Sequence, residues 1–131
     1  MREILFRGKR IDDGEWVEGF YVRLGSKDDH ILIGKLSIVG SAFVYEHHPV
    51  IPKTVGQYTG VTDSNGVKIF EGDIVKSAIC LYVVVWSNAN AMFCLRDPAS
   101  KVSYDFFSYF GDYLTVIGNI HDNPELIGGT P

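Results

Sequence analysis

The chain has 131 residues, enough to enclose one hydrophobic core without disulfides or metals, and one domain is expected. Its hydrophobic fraction of 46% and charged fraction of 21% exclude the low-hydrophobicity regime of disorder. A formal charge of −4 argues against binding nucleic acid mainly by neutralising phosphates. Fourteen glycines and 13% aromatics suit short strands joined by tight turns, so a mainly β chain is expected.

Met1 leads straight into charged residues and no apolar run approaches the ~18 residues of a spanning helix, so a cytoplasmic, non-membrane protein is expected. Cys80 and Cys94 lie in apolar segments and are read as small buried hydrophobes rather than as a disulfide.

Arg2, Arg7, Lys9 and Arg10 alternate with Ile4, Leu5 and Phe6 in the pattern of a strand with a solvated face. Asp12-Asp13-Gly14 is a turn signal joining that strand to Glu15–Arg23, whose strict alternation places Trp16, Phe20 and Val22 on one face with Glu18. Gly25 to Asp29 reads as a loop and Ile31 to Gly34 as a short strand. Ser41 to Ile51 reads as strand then loop, since Pro49 and Pro52 restrict the chain beyond Phe43-Val44-Tyr45 to edge or extended structure.

The next segment is dense in turn chemistry. Asp63-Ser64-Asn65-Gly66 and Gly72-Asp73 enclose a very short strand around Ile69 and Phe70. Ile74 to Trp86 reads as one long apolar strand, interrupted by Lys76 and Ser77, that turns at Ser87 to Asn90 into Ala91 to Leu95. A Gly-Asp pair feeding an apolar strand and a hairpin has the look of an SH3-like barrel in the C-terminal half. Tyr104, Phe107, Phe110 and Tyr113 are spaced three apart, which predicts one short helix near 103–110. Leu114 to Ile120 supplies a last strand before Asn123-Pro124. The expected organisation is a single domain over 1–131 of short antiparallel strands and hairpins, with an N-terminal β portion at 1–56 and a C-terminal one at 57–131.

Two blocks carry a family likeness. One is Tyr58-Thr59-Gly60 with Asp63 and Asn65-Gly66, followed by Ile69-Phe70-Glu71-Gly72-Asp73-Ile74-Val75. The other is Val116-Ile117-Gly118-Asn119-Ile120-His121-Asp122-Asn123-Pro124-Glu125-Leu126. With the opening strand Met1 to Arg7, they make the chain resemble the YopX family across nearly its whole length. The resemblance implies a phage or prophage origin and brings no assigned activity.

Physically, most residues of these blocks are backbone devices: glycines for positive φ, Asp and Asn for turn hydrogen bonds, Pro124 to end a strand. Glu71, Asp73, Asn119 and Asn123 could nonetheless line a small polar site if the two blocks meet. His47 and His48, adjacent on an extended chain, point to opposite faces and cannot readily share one metal; a site would need one of them with His30 or His121. No phosphate loop, dinucleotide fingerprint or nucleophile elbow occurs, so no catalytic residue, metal site or cofactor is assigned.

Trp16 and Trp86 are expected in the core, and some of Tyr21, Tyr45, Tyr82 and Tyr109 at the surface. On an acidic protein, exposed aromatics favour protein contacts over nucleic acid. The residues support three readings: a non-enzymatic protein-interaction or self-assembling module, including a homo-oligomer; a small nucleic-acid-binding β-barrel; and an enzyme assembled from Glu71, Asp73, Asn119 and a histidine. The first leads.

Overall fold

A computed structural model describes residues 2–25, 29–78, 80–105 and 113–129. The chain divides into two compact units, Met1–Tyr58 and Thr59–Pro131. It is mainly β, as its alternation and turn content imply, and both units are built from antiparallel pairs.

In the first unit, β1 (Phe6–Lys9) and β2 (Trp16–Leu24) form the anticipated N-terminal hairpin, with Phe6 opposite Gly19 and Lys9 opposite Trp16. Gly14 at φ +71° closes the turn, and Arg10 pairs with Asp12 and Asp13 beside it. β3 (Asp29–Val39) pairs with β2, and β4 (Ala42–Pro49) pairs with β3. Both run well beyond the lengths that the sequence suggests. The strand order is β4-β3-β2-β1, followed by the first part of β5 (Gly56–Thr62). Leu32, Val50 and Tyr58 are its buried apolar side chains among the described residues, so this unit has a thin core.

The second unit takes up β5 from Thr59 and adds β6 (Lys68–Phe70). A five-stranded antiparallel sheet comes next, in the order β10-β9-β8-β7-β11: β7 (Asp73–Ser77), β8 (Cys80–Ser87), β9 (Met92–Arg96), β10 (Ser103–Asp105) and β11 (Thr115–Asn119). Among the described residues the pairings run from β10 to β11 without closing, so the anticipated SH3-like closure is not among them. Ile69, Val75, Tyr82, Val84, Leu95 and Leu114 form the core, with Val61, Phe93 and Val116 packed against it.

Several expectations need correction. The apolar run Ile74 to Trp86 is two strands, because Ser77 pairs with Cys80 across a tight reversal. Ser103–Asp105, where the aromatic spacing predicts the start of a helix, pairs with β9 as β10; residues 106–112 lie outside the described residues, as does Tyr109. Trp86 is 44% exposed, its ring edge-on to Phe93 and its Nε1 donating to Asn88 Oδ1, while Tyr82 is buried in the core. Cys94 is buried but Cys80 is exposed, since β8 turns its first side chain outward.

Candidate functional site

The two motif blocks meet within the second unit, where β7 and β11 pair antiparallel and Asp73 lies opposite Asn119. Several of their polar side chains hold backbone there. Asp63 is almost fully buried and accepts from three main-chain N–H groups: Oδ1 from Asn65 (2.8 Å) and Val67 (2.9 Å), Oδ2 from Val116 (3.0 Å). Burial pushes this carboxyl up, but the bonds from Val116, Val67 and Asn65 outweigh it and hold its pKa below the ordinary value. The Asp63 turn, closed by Gly66 at φ +79°, is further tied to the start of β11 by Ser64 N–H donating to the carbonyl of Leu114, the residue before that strand.

Asp73 is 1% exposed and accepts from Phe70 N–H at 2.7 Å, which shapes the turn between β6 and β7. Gly72, at φ +91° in that turn, donates to the Val84 carbonyl and accepts from Ile120 N–H. After β11, Asn119 Oδ1 accepts from His121 and Asp122 N–H, and Asn123 Oδ1 accepts from Asn119 N–H. A Cβ on Gly118 would lie 2.5 Å from Asn123 Oδ1, so any other residue there must displace the Asn123 side chain. Asp73, Asn119 and Asn123 are thus brought together as turn latches, and Glu71 lies half-buried in the turn beside Asp73.

A carboxylate that accepts several amide hydrogens is held as a stable anion, which suits architecture and not proton transfer near neutral pH. The histidines are dispersed in the register of their strands: His47 opposite Ile33, and His48 opposite Leu32 with its Nε2 3.1 Å from Glu46 Oε2. His30 hydrogen-bonds through Nδ1 to the Tyr21 hydroxyl. Among the described residues no three His, Cys, Asp or Glu side chains converge as metal ligands.

The feature with no architectural explanation lies in the first unit. β2 pairs with β3 only as far as Ile33, and a bulge comes next, in which β3 gains one residue on β4 between Ile33 and Leu36. From Leu36 onward the registered partner of β3 among the described residues is β4 alone: Leu36 with Tyr45, Ser37 with Val44, Ile38 with Phe43, Val39 with Ala42. The two strands join through the two-residue loop Gly40-Ser41. Gly40 at φ +64° in the first loop position is the pattern of a II′ hairpin turn, which matches the twist of the flanking strands.

This ribbon, Leu36–Tyr45, contains no charged residue. Ile38 is 70% exposed and Phe43 68%, with Leu36, Val39, Val44 and Tyr45 also exposed, so both faces of the ribbon present apolar side chains. Phe20 and Leu24 on β2 add to the exposed apolar surface. The ribbon is the outer end of the order β4-β3-β2-β1, in which β3 and β4 pair with each other past the bulge. The available signal is the Val39-Gly40-Ser41-Ala42 sequence, a two-residue hairpin loop between apolar runs, which a reading of Ile31–Gly34 as a short strand passes over.

Comparison with known proteins agrees with the fold. The family model described as YopX protein matches residues 5–128. The crystal structure of protein EF1440 from Enterococcus faecalis is similar at 23% identity and a TM-score of 0.62, over 97% of this chain and 99% of that one. No curated protein matches.

Proposed function

The chain belongs to the YopX protein family, and from that premise we propose that it is a non-enzymatic protein-interaction module whose docking element is the β3–β4 ribbon. The observation that carries this reading is the uncharged Leu36–Tyr45 ribbon, apolar on both faces and projecting past the pairing with β2. Natural sheets blunt their outer strands with charge, proline or cover. Here Glu46, His47, His48 and Pro49 do so at one end of β4, while Ala42 to Tyr45 carry no such device. Asp63, Asp73, Asn119 and Asn123 of the motif blocks support the same reading from the other side, since their side-chain oxygens accept from main-chain N–H groups.

The setting we propose is a phage or prophage accessory protein acting in the bacterial cytoplasm. Two cysteines that are not joined to each other, one of them exposed, are at home in a reducing compartment. No helix among the described residues is long and apolar enough to cross a membrane. Nucleic-acid binding is disfavoured by the charge balance. Arg7 and Lys9 lie over the Trp16 ring at 4.7 and 5.7 Å, so these basic groups already engage an aromatic side chain of their own chain.

The test is retention of partners by the tagged protein from host cells carrying the element, with and without nuclease, using the wild type and an Ile38→Lys/Phe43→Lys variant. A protein that resists nuclease, is identified by mass, rebinds when purified and is lost in the variant supports the reading. Recovered nucleic acid whose retention weakens steeply with salt overturns it.

A further inference from the structure

We infer that the partner of the ribbon is a second copy of this chain, whose β4 pairs antiparallel with β4 about a two-fold axis through Val44. This rests on the reading of the ribbon as the docking element and specifies its occupant and register.

The register is set by the hairpin loop. A two-residue loop makes its flanking residues, Val39 and Ala42, a hydrogen-bonded pair, and such pairs alternate with non-hydrogen-bonded ones along an antiparallel ladder. Ala42 and Val44 therefore turn their main-chain groups toward β3, while Phe43 and Tyr45 turn theirs outward from the outer strand of the sheet. Two outward-facing residues separated by one permit a self-pairing in which Phe43 of each copy exchanges both main-chain bonds with Tyr45 of the other. Val44 then faces Val44 of the second copy as a non-hydrogen-bonded pair on the axis.

Three features select a copy of the chain as the occupant. The pairing sets aromatic against aromatic twice, one of the favourable cross-strand combinations. It opposes no like charges, because Glu46 falls opposite Ala42 and His47 opposite Ser41 of the second copy. It also converts two marginal two-stranded ribbons into one four-stranded sheet, β3-β4-β4-β3, which meets the minimum for a stable sheet.

The test uses the full chain. Sedimentation should show twice the 14.6 kDa monomer mass at micromolar concentration, and Phe43→Lys should return it to monomer with an unchanged circular dichroism spectrum. Register is read by cross-linking in a Cys80→Ser background. Val44→Cys should form an interchain disulfide under mild oxidation, because non-hydrogen-bonded pairs sit about 4.5 Å apart at Cα. Phe43→Cys should not, since its counterpart is Tyr45 and its own copy lies beyond the ~7 Å limit for bridging. A monomeric chain in which Val44→Cys stays reduced overturns the inference, and equal cross-linking at both positions overturns the register. A monomer that still captures a different, identified protein through the ribbon defeats the self-pairing and leaves the interaction reading standing. A monomer without ribbon-dependent capture defeats both.

Discussion

Two hairpin regions of this chain use opposite chemistry. In the second unit, the turns around Asp63, Asp73 and Asn119 are rich in polar side chains, and those side chains take up main-chain donors. In the first unit, the Leu36–Tyr45 ribbon is almost wholly apolar, and most of that surface faces solvent. Polarity here is directed inward and apolarity outward, the reverse of what inspection of residue types alone suggests. Asp63, Asp73, Asn119 and Asn123, which look like a site, hold turns of the fold, and ribbon residues that look like core face solvent.

The largest break in this comparison should come at Asp63. Asp63→Ala removes a buried carboxylate that accepts from the N–H groups of Asn65, Val67 and Val116 in part-buried bonds, and a loss of about 3 kcal/mol is expected. Urea denaturation followed by circular dichroism measures it. A loss below about 1 kcal/mol would show that the turn does not depend on its carboxylate.

Next in size is Gly118→Ala. The added methyl meets Asn123 Oδ1 at 2.5 Å, and moving Asn123 aside breaks its bond to Asn119 N–H. A destabilisation of about 2 kcal/mol is expected in the same assay. Asn123→Ala, combined with Gly118→Ala, should cost less than the sum of the two singles, because each removes the same bond.

What is legible in the sequence divides along the same line. Asp63-Ser64-Asn65-Gly66 and Gly72-Asp73 can be read as turns because Gly and Asx encode backbone conformation locally. The pairing of β7 with β11, which sets Asp73 opposite Asn119, joins distant segments; only the family likeness links them in the sequence. The ribbon escapes such a reading because apolar residues in a strand are ordinarily core, and their exposure depends on where β2 stops pairing with β3. Trp86 and Cys80 are misplaced for the same reason. Ile74 to Trp86 conceals its reversal because Ser77 to Cys80 carries no Gly, Pro or Asn to mark one.

Acid should separate the regions more gently. The Asp63 carboxyl is held below its unfolded value, so its contribution is fully present above that value and disappears as pH falls through the lowered folded pKa. Asp97, lowered by bonds from Ala99 and Ser100, adds in the same direction from an exposed turn. Stability of the wild type should therefore decline below about pH 4, where free carboxyls ordinarily titrate. In Asp63→Asn, which starts less stable, the slope should flatten. An unchanged slope would assign acid lability to other carboxylates.

The smallest effect expected is the one that most sharpens the comparison. Phe43→Lys, measured at a concentration where the wild type is monomeric, should change unfolding free energy by no more than about 0.5 kcal/mol, because the replaced ring faces solvent in the isolated chain. Raised to a concentration where wild-type chains associate, the same substitution should lower apparent stability by an amount that grows with protein concentration, since a partner bound only to the folded state stabilises it by mass action. A neutral result at low concentration and a growing deficit at high concentration would locate the role of Phe43 between chains. A large deficit at both would mean that the ribbon packs within its own chain.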